Sequence, residues 1–146
     1  MQRFIIDTDP GADDAIALMM ALRQPDIQVD AITTVAGNVP VEQATANALY
    51  IAELCGAHVP VYQGTDRPML RQPPDARHVH GQDGLGDLDR QPPRGRPQPE
   101  HAVDALIRRA LAAPGEITLV ALGPLTNVAL ALRKEPALAP ALRRWS

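Results

Sequence analysis

The sequence predicts an α/β fold, an open and mainly parallel sheet with helices on both faces. Two observations predict it. Along the 146 residues, short aliphatic or β-branched runs alternate with stretches of helical apolar spacing, the pattern of strand-helix-strand units whose crossovers build parallel sheets covered on both sides. Hydrophobic residues make up 45% of the chain but aromatics only 3%, so a core must rest on Ala, Val, Leu and Ile, which suit close packing of helix on sheet. The length suits one domain that buries about two-thirds of its unfolded surface.

The elements follow in order. Arg3 to Ile6 is a short apolar run ended by Asp-Pro-Gly punctuation, and from Asp13 the spacing becomes helical through Gln24, where Pro25 stops it. Ile27 to Val35 is rich in β-branched residues and runs into Ala36-Gly37-Asn38. Pro40 to Leu54 reads as a helix with Pro in its first turn and Gly56 just past its end, and Val59 to Tyr62 as a third strand. From Gly64 to Pro99 prolines, glycines and arginines replace the periodicity, as in a long functional or mobile loop. The arginines from Arg67 to Arg96 read as solvated surface. Glu100 to Ala113 is helical, Glu116 to Leu122 a buried strand closed by Gly123-Pro124, and Asn127 to Arg133 and Ala137 to Arg144 are helices separated by Pro136. Met19, Met20 and Cys55 read as core.

Charge and cysteine usage narrow the function. A formal net charge of -3, no sustained basic stripe and few aromatics count against a nucleic-acid surface. The lone Cys55 cannot form an internal disulfide, Met1 is not followed by a charged-then-apolar leader, and no apolar run reaches the roughly 20 residues that span a bilayer. The expectation is a cytoplasmic protein without membrane or nucleic-acid partners that acts on a small polar molecule.

The chemistry concentrates in "FIIDTDPGADDAIALMMAL", Phe4 to Leu22, where Asp7, Asp9, Asp13 and Asp14 crowd one turn. At about 5 Å and an effective dielectric of about 20, each ionised pair repels by roughly 3 kcal/mol. Asp13 or Asp14 could cap the helix, where the macrodipole favours an anion by about 0.3 to 1 kcal/mol. That leaves Asp7 and Asp9 unexplained. A hard divalent cation would offset the repulsion, since Ca²⁺ and Mg²⁺ take carboxylate, carbonyl and water oxygens. Pro10 and Gly11 permit a turn on which Asp9 and Asp14 converge. In a parallel sheet this turn, Gly37-Asn38 and Leu122-Gly123-Pro124 all fall outside the carboxyl ends of strands, where such sheets bind ligands.

At these residues the chain resembles the inosine-uridine nucleoside hydrolases. "DTDPGADDA" looks like their amino-terminal signature, and "AGN" at Ala36 to Asn38, "HGQDGLGD" at His80 to Asp87 and "ALGPLTNVALAL" at Ala121 to Leu132 agree in order. The resemblance spans nearly the whole chain and implies the family's Rossmann-like fold. Family members are about twice as long, so residues 1–146 correspond to an amino-terminal half, read as a single α/β domain that includes the loop of residues 64–99.

The resemblance implies Ca²⁺-dependent hydrolysis of the N-glycosidic bond of ribonucleosides to ribose and free base. By motif, Asp9 would be a Ca²⁺ ligand and the general base, Asp14 a bidentate Ca²⁺ ligand, and the main-chain oxygen of Leu122 a further ligand. Asp13 would accept a hydrogen bond from a ribose hydroxyl, Asn38 would line the sugar end, His80 would border the site on a closing loop, and Asp7 would support the cluster from behind. Carboxylates and an activated water suit an oxocarbenium-like transition state. Family members are dimers or tetramers, so a homo-oligomer is expected. Asp83 and Asp87 read as structural, and Thr126 and Asn127 as caps of the helix after Gly123-Pro124.

The remaining ligands of the family's site belong to its second half, so a competing expectation is a catalytically incompetent, self-associating piece of the fold with at most weak metal binding. Two other acid-rich α/β classes fit less well. A phospho-receiver domain needs an Asp after the third strand, where this chain has Tyr62-Gln63-Gly64, and its only lysine, Lys134, lies at a helix end. A haloacid-dehalogenase-type phosphatase shares Asp7-Thr8-Asp9 but calls for Thr where Gly11 stands, and it also needs a lysine.

Overall fold

The structure, a computed structural model, describes residues 1–67 and 91–146. Its elements are β1 (Gln2–Thr8), α1 (Ala12–Arg23), β2 (Ile27–Thr34), α2 (Val41–Leu54), β3 (Val61–Gln63), α3 (Ala102–Ala112), β4 (Ile117–Ala121), α4 (Thr126–Lys134), α5 (Leu138–Ala141) and β5 (Arg144–Trp145). All strands pair in parallel, in the order β3-β2-β1-β4-β5. The sheet is the parallel α/β sheet expected from the alternating pattern.

Strand periodicity builds the two layers. Successive side chains point to opposite faces, so Ile5 of β1 and Ala31 of β2 pack under α3, α4 and α5 with Leu106, Val128 and Leu138. Their neighbours Ile6 and Ile32 pack under α1 and α2 with Leu18, Ala48 and Ile51. Small alanines such as Ala44, Ala48, Ala105 and Ala131, all fully buried, let helices approach the sheet closely. No described helix is long and apolar enough to cross a membrane.

Local signals set the ends. Asp13 and Asp14 lie in the first turn of α1 and Arg23 in its last, as the macrodipole favours. At the end of α2, Gly56 takes φ +65°, its N–H bonds Glu53 O, and Ala57 N–H bonds Ala52 O at 2.9 Å. This is a Schellman closure, with glycine in the left-handed position that side chains avoid. In β2 the pairing register slips opposite Phe4 and Ile5, leaving Asp30 between paired residues. Arg3 reaches that buried carboxylate with Nε at 2.9 Å and Nη2 at 2.7 Å.

Three expectations are corrected. Met20 is exposed, not core, because it borders the open cleft between α1 and the sheet, while Met19 and Cys55 are half-buried against the α1–α2 layer. The helix expected from Ala137 to Arg144 spans only Leu138–Ala141. Arg144 and Trp145 instead pair with Thr118 and Leu119 as an edge strand, since main-chain hydrogen bonds to β4 replace those a further helical turn would make. Finally, no side chain caps α1: Gly11 occupies the cap position and both acids sit inside the helix.

Candidate active site

The order β3-β2-β1-β4-β5 reverses direction between β1 and β4, and open parallel sheets bind ligands at such a switch, outside the carboxyl ends of the strands. Asp9 leaves the end of β1 at this point. Its side chain is buried between two glycines. A β-carbon on Gly123, after β4, would stand 2.6 Å from Asp9 Oδ1, and one on Gly37, after β2, would overlap Asp9 Oδ2. Both contacts are closer than any real side chain tolerates. The glycines of "AGN" and "LGP" therefore form a cradle that fits the Asp9 carboxylate.

Asn38 fixes that carboxylate. Its main-chain N–H donates to Asp9 Oδ2 at 2.7 Å and its side-chain amide donates to the Asp9 carbonyl at 3.1 Å. Asp14 approaches from the first turn of α1, within hydrogen-bonding range of the Asp9 carboxyl, and Thr8 Oγ1 donates to Asp14 Oδ2 at 3.0 Å. Burial first, and then Asp14, push the Asp9 carboxyl up to about 7. Protonation of Asp9 relieves its repulsion with Asp14, and a cation would relieve it too.

Asp7 lies behind the cluster with no solvent exposure. Because side chains alternate, Asp7 points to the α4 side of the sheet and Thr8 to the α1 side. Asp7 Oδ1 accepts from Thr33 Oγ1 at 2.6 Å and from Asn127 Nδ2 at 2.8 Å, while Oδ2 has no hydrogen-bond partner among the described residues. Burial raises this carboxyl to about 6 despite those two donors.

Asn127 is a second correction to the helix-cap reading. The residue at the cap of α4 is Leu125, which makes no side-chain cap bond, and the Asn127 amide instead turns inward, fully buried. Its Nδ2 donates to Asp7 Oδ1 and to Thr34 O, both at 2.8 Å, and its Oδ1 accepts from Thr65 N–H and Oγ1, both at 3.0 Å. Thr126 is buried at the start of the same helix and likewise makes no cap bond.

The structure thus brings Asp9, Asp14 and Asn38 together. Asp13 is exposed on the first turn of α1, one residue before Asp14. Leu122 donates its N–H to Asp7 O at 2.8 Å, which sets its peptide beside the base of the acidic turn. His80, with Asp83 and Asp87, lies outside the described residues. Thr8, Thr33, Gly37, Gly123 and Asn127 were missed as functional residues from sequence, although all but Thr33 stand inside the quoted motifs.

The donor chemistry fits a hard divalent cation. Asp9 and Asp14 supply carboxylate oxygens from the two sides of one turn, and the orphaned, buried Oδ2 of Asp7 adds negative potential behind them. Among the described residues no group of three or more His, Cys, Asp or Glu forms a site, so carbonyl and water oxygens would have to complete the shell. An apolar cleft of ≈ 470 Å³ runs along the α1 face of the sheet, from Gln2 and Asp26 at the amino edge past Phe4 and Val120 to Leu122. It is not lined by Asp9, Asp13 or Asp14.

Comparison with known proteins agrees with this geometry. The family model of the inosine-uridine preferring nucleoside hydrolases matches residues 4–146. The chain is 46% identical over 138 residues to probable uridine nucleosidase 2 of Arabidopsis thaliana, covering 92% of this chain and 43% of that one. It is 41% identical over 142 residues to the pyrimidine-specific ribonucleoside hydrolase RihB of Escherichia coli, covering 97% and 45%. Among solved structures, a plant nucleoside hydrolase superposes with a TM-score of 0.93 at 41% identity over 99% of this chain and 46% of that one. The purine-preferring ribonucleoside hydrolase from Gardnerella vaginalis gives 0.94 at 32% identity, covering 99% and 47%. The chain spans somewhat under half the length of these relatives. On its motifs, its sheet order and these matches, the chain belongs to the inosine-uridine preferring nucleoside hydrolase family.

Proposed function

We propose that the chain carries the metal- and ribose-binding edge of a ribonucleoside hydrolase, with Ca²⁺ held by Asp9, Asp14 and the main-chain oxygen of Leu122. The observation that carries this reading is the Asp9 carboxylate, cradled by Gly37 and Gly123 and set against Asp14 at the switch point of the sheet. Relatives named for uridine, pyrimidine and purine ribonucleosides support the substrate class.

Bound Ca²⁺ would lower the pKa of a coordinated water and favour the ionised acids. The residues do the rest. Asp9, held by the Asn38 N–H, takes the proton of the attacking water at a carboxylate oxygen. Asp13, exposed at the start of α1, accepts a ribose hydroxyl, and Asn38 lines the sugar end. The negative potential of Asp7, Asp9 and Asp14 stabilises the cationic sugar of the transition state. His80 borders the site in this reading, and the active form is a homo-oligomer.

A second reading is a folded, self-associating scaffold with weak metal binding and no turnover. Two observations favour it: only two carboxylates converge among the described residues, and the apolar cleft beside Leu122 lies open. A release assay decides. The hydrolase reading expects free base from uridine or inosine with millimolar Ca²⁺, abolished by Asp9→Asn and by chelator. Release at the buffer rate, together with concentration-dependent light scattering, would establish the scaffold instead.

A further inference from the structure

The side chain of Asn127 hydrogen-bonds to neither Asp9 nor Asp14, yet every hydrogen-bonding site it has is used. Two donors and two acceptor positions are the full capacity of an amide, and here they engage three other segments: the end of β1 at Asp7, the end of β2 at Thr34 and the chain after β3 at Thr65. The packing around it is equally restrictive. A β-carbon on Gly64 would stand 2.5 Å from Asn127 Nδ2, so Gly64 is the residue that lets the amide reach Thr34 and Thr65.

We propose that Asn127 is a positioning residue that sets where Asp9 sits, acting through Asp7. The path is short. Asn127 and Thr33 hold Asp7 from the α4 side of the sheet, and Asp7 O accepts the Leu122 N–H just before Gly123. Thr8, the next residue, is held from the other side: its O accepts Val35 N–H and its hydroxyl engages Asp14. Asp9 then enters a cradle only as wide as its own carboxylate. A side chain clamped so closely on both sides is displaced by a small shift of the strand end that carries it. Freed from Asn127, Asp7 would be a buried carboxylate with Thr33 as its one remaining donor among the described residues, and the end of β1 would relax to hydrate it.

This inference rests on the proposed metal site, but its first readout does not. The Asn38 N–H donates to Asp9 Oδ2, so its hydrogen exchange in metal-free protein reports where Asp9 lies. The full chain is compared as wild type, Asn127→Ala and Leu138→Ala, the last being a fully buried core truncation beneath α3 and α4 that lowers stability away from the site. Asn127→Ala is expected to speed Asn38 exchange well beyond the Leu138→Ala control and to weaken Ca²⁺ binding by about 10- to 100-fold, the usual effect of removing a partner of a metal ligand. Asn38 exchange unchanged in Asn127→Ala, or raised equally by Leu138→Ala, overturns the proposal. If Asn127→Ala fails to fold, Thr65→Val removes only one of the four bonds and is expected to act in the same direction with a smaller effect; no change in Asn38 exchange in that variant also overturns it. A wild-type chain that takes up no Ca²⁺ while Asn127→Ala still loosens Asn38 defeats the metal reading and leaves the positioning role standing.

Discussion

Gly123 and Asp9 approach so closely that a β-carbon on the glycine would lie 2.6 Å from Asp9 Oδ1 and 3.2 Å from its main-chain nitrogen. Gly123→Ala therefore forces the carboxylate, the strand end or the Gly-Pro turn to move. Overpacking of this kind costs about 1–3 kcal/mol. Urea unfolding should show that loss, and calorimetry should show weaker Ca²⁺ binding than in wild type. Gly37→Ala should be worse, since its β-carbon meets both Asp9 and Pro124 Cδ, the latter at 2.9 Å.

Asp9 is held near 7 and Asp7 near 6, both above the usual carboxylate range and both chiefly by burial. The folded chain therefore keeps protons that the unfolded chain has already released. The stabilisation from each group is complete below about pH 4 and is lost as pH rises through the folded values. In chelator, stability should fall between about pH 4 and about pH 7, and Asp9→Asn should flatten that slope. A wild-type profile rising with pH over this window, or one Asp9→Asn leaves unaltered, contradicts the assignment.

Added Ca²⁺ should reverse that loss. A ligand that binds only the folded state stabilises by RT ln(1 + [L]/Kd), or about 2.7 kcal/mol at a hundredfold excess over Kd. The rise in melting temperature should be larger at pH 8 than at pH 5, because at lower pH the ion competes with the proton on Asp9. Asp14→Ala should abolish the rise.

At the opposite edge of the sheet, Arg3→Ala should destabilise without touching the site. The Asp30 carboxylate would keep Gln28 Nε2 at 2.8 Å but lose both guanidinium bonds. Arg3 is about a third exposed, so solvent offsets part of the loss and a cost of about 1–3 kcal/mol is expected. Chemical denaturation gives the size, and unchanged Ca²⁺ affinity would show that the two edges are independent.

The strands and helices were legible because their signals are local. Ile5-Ile6 and Ile117 to Ala121 have strand composition, Pro25 ends α1, and Gly56 supplies the positive φ that closes α2. Met20 and the segment after Ala137 misled because burial and pairing depend on neighbours distant in sequence: the first faces the open cleft beside Phe4 and Val120, and Arg144 and Trp145 find β4 across the sheet.

The sequence by itself determined the class of fold, the family and the crowding of four acids into one turn, since periodicity, punctuation and motif order are properties of adjacent residues. Only the tertiary structure decided what the glycines of "AGN" and "LGP" are for and that Asn127 holds Asp7 instead of capping α4. Asp7 and Asn127 are 120 residues apart. Their contact exists because parallel pairing of β2, β1 and β4 brings every carboxyl-end turn to one edge, and no local pattern encodes which side chains then meet.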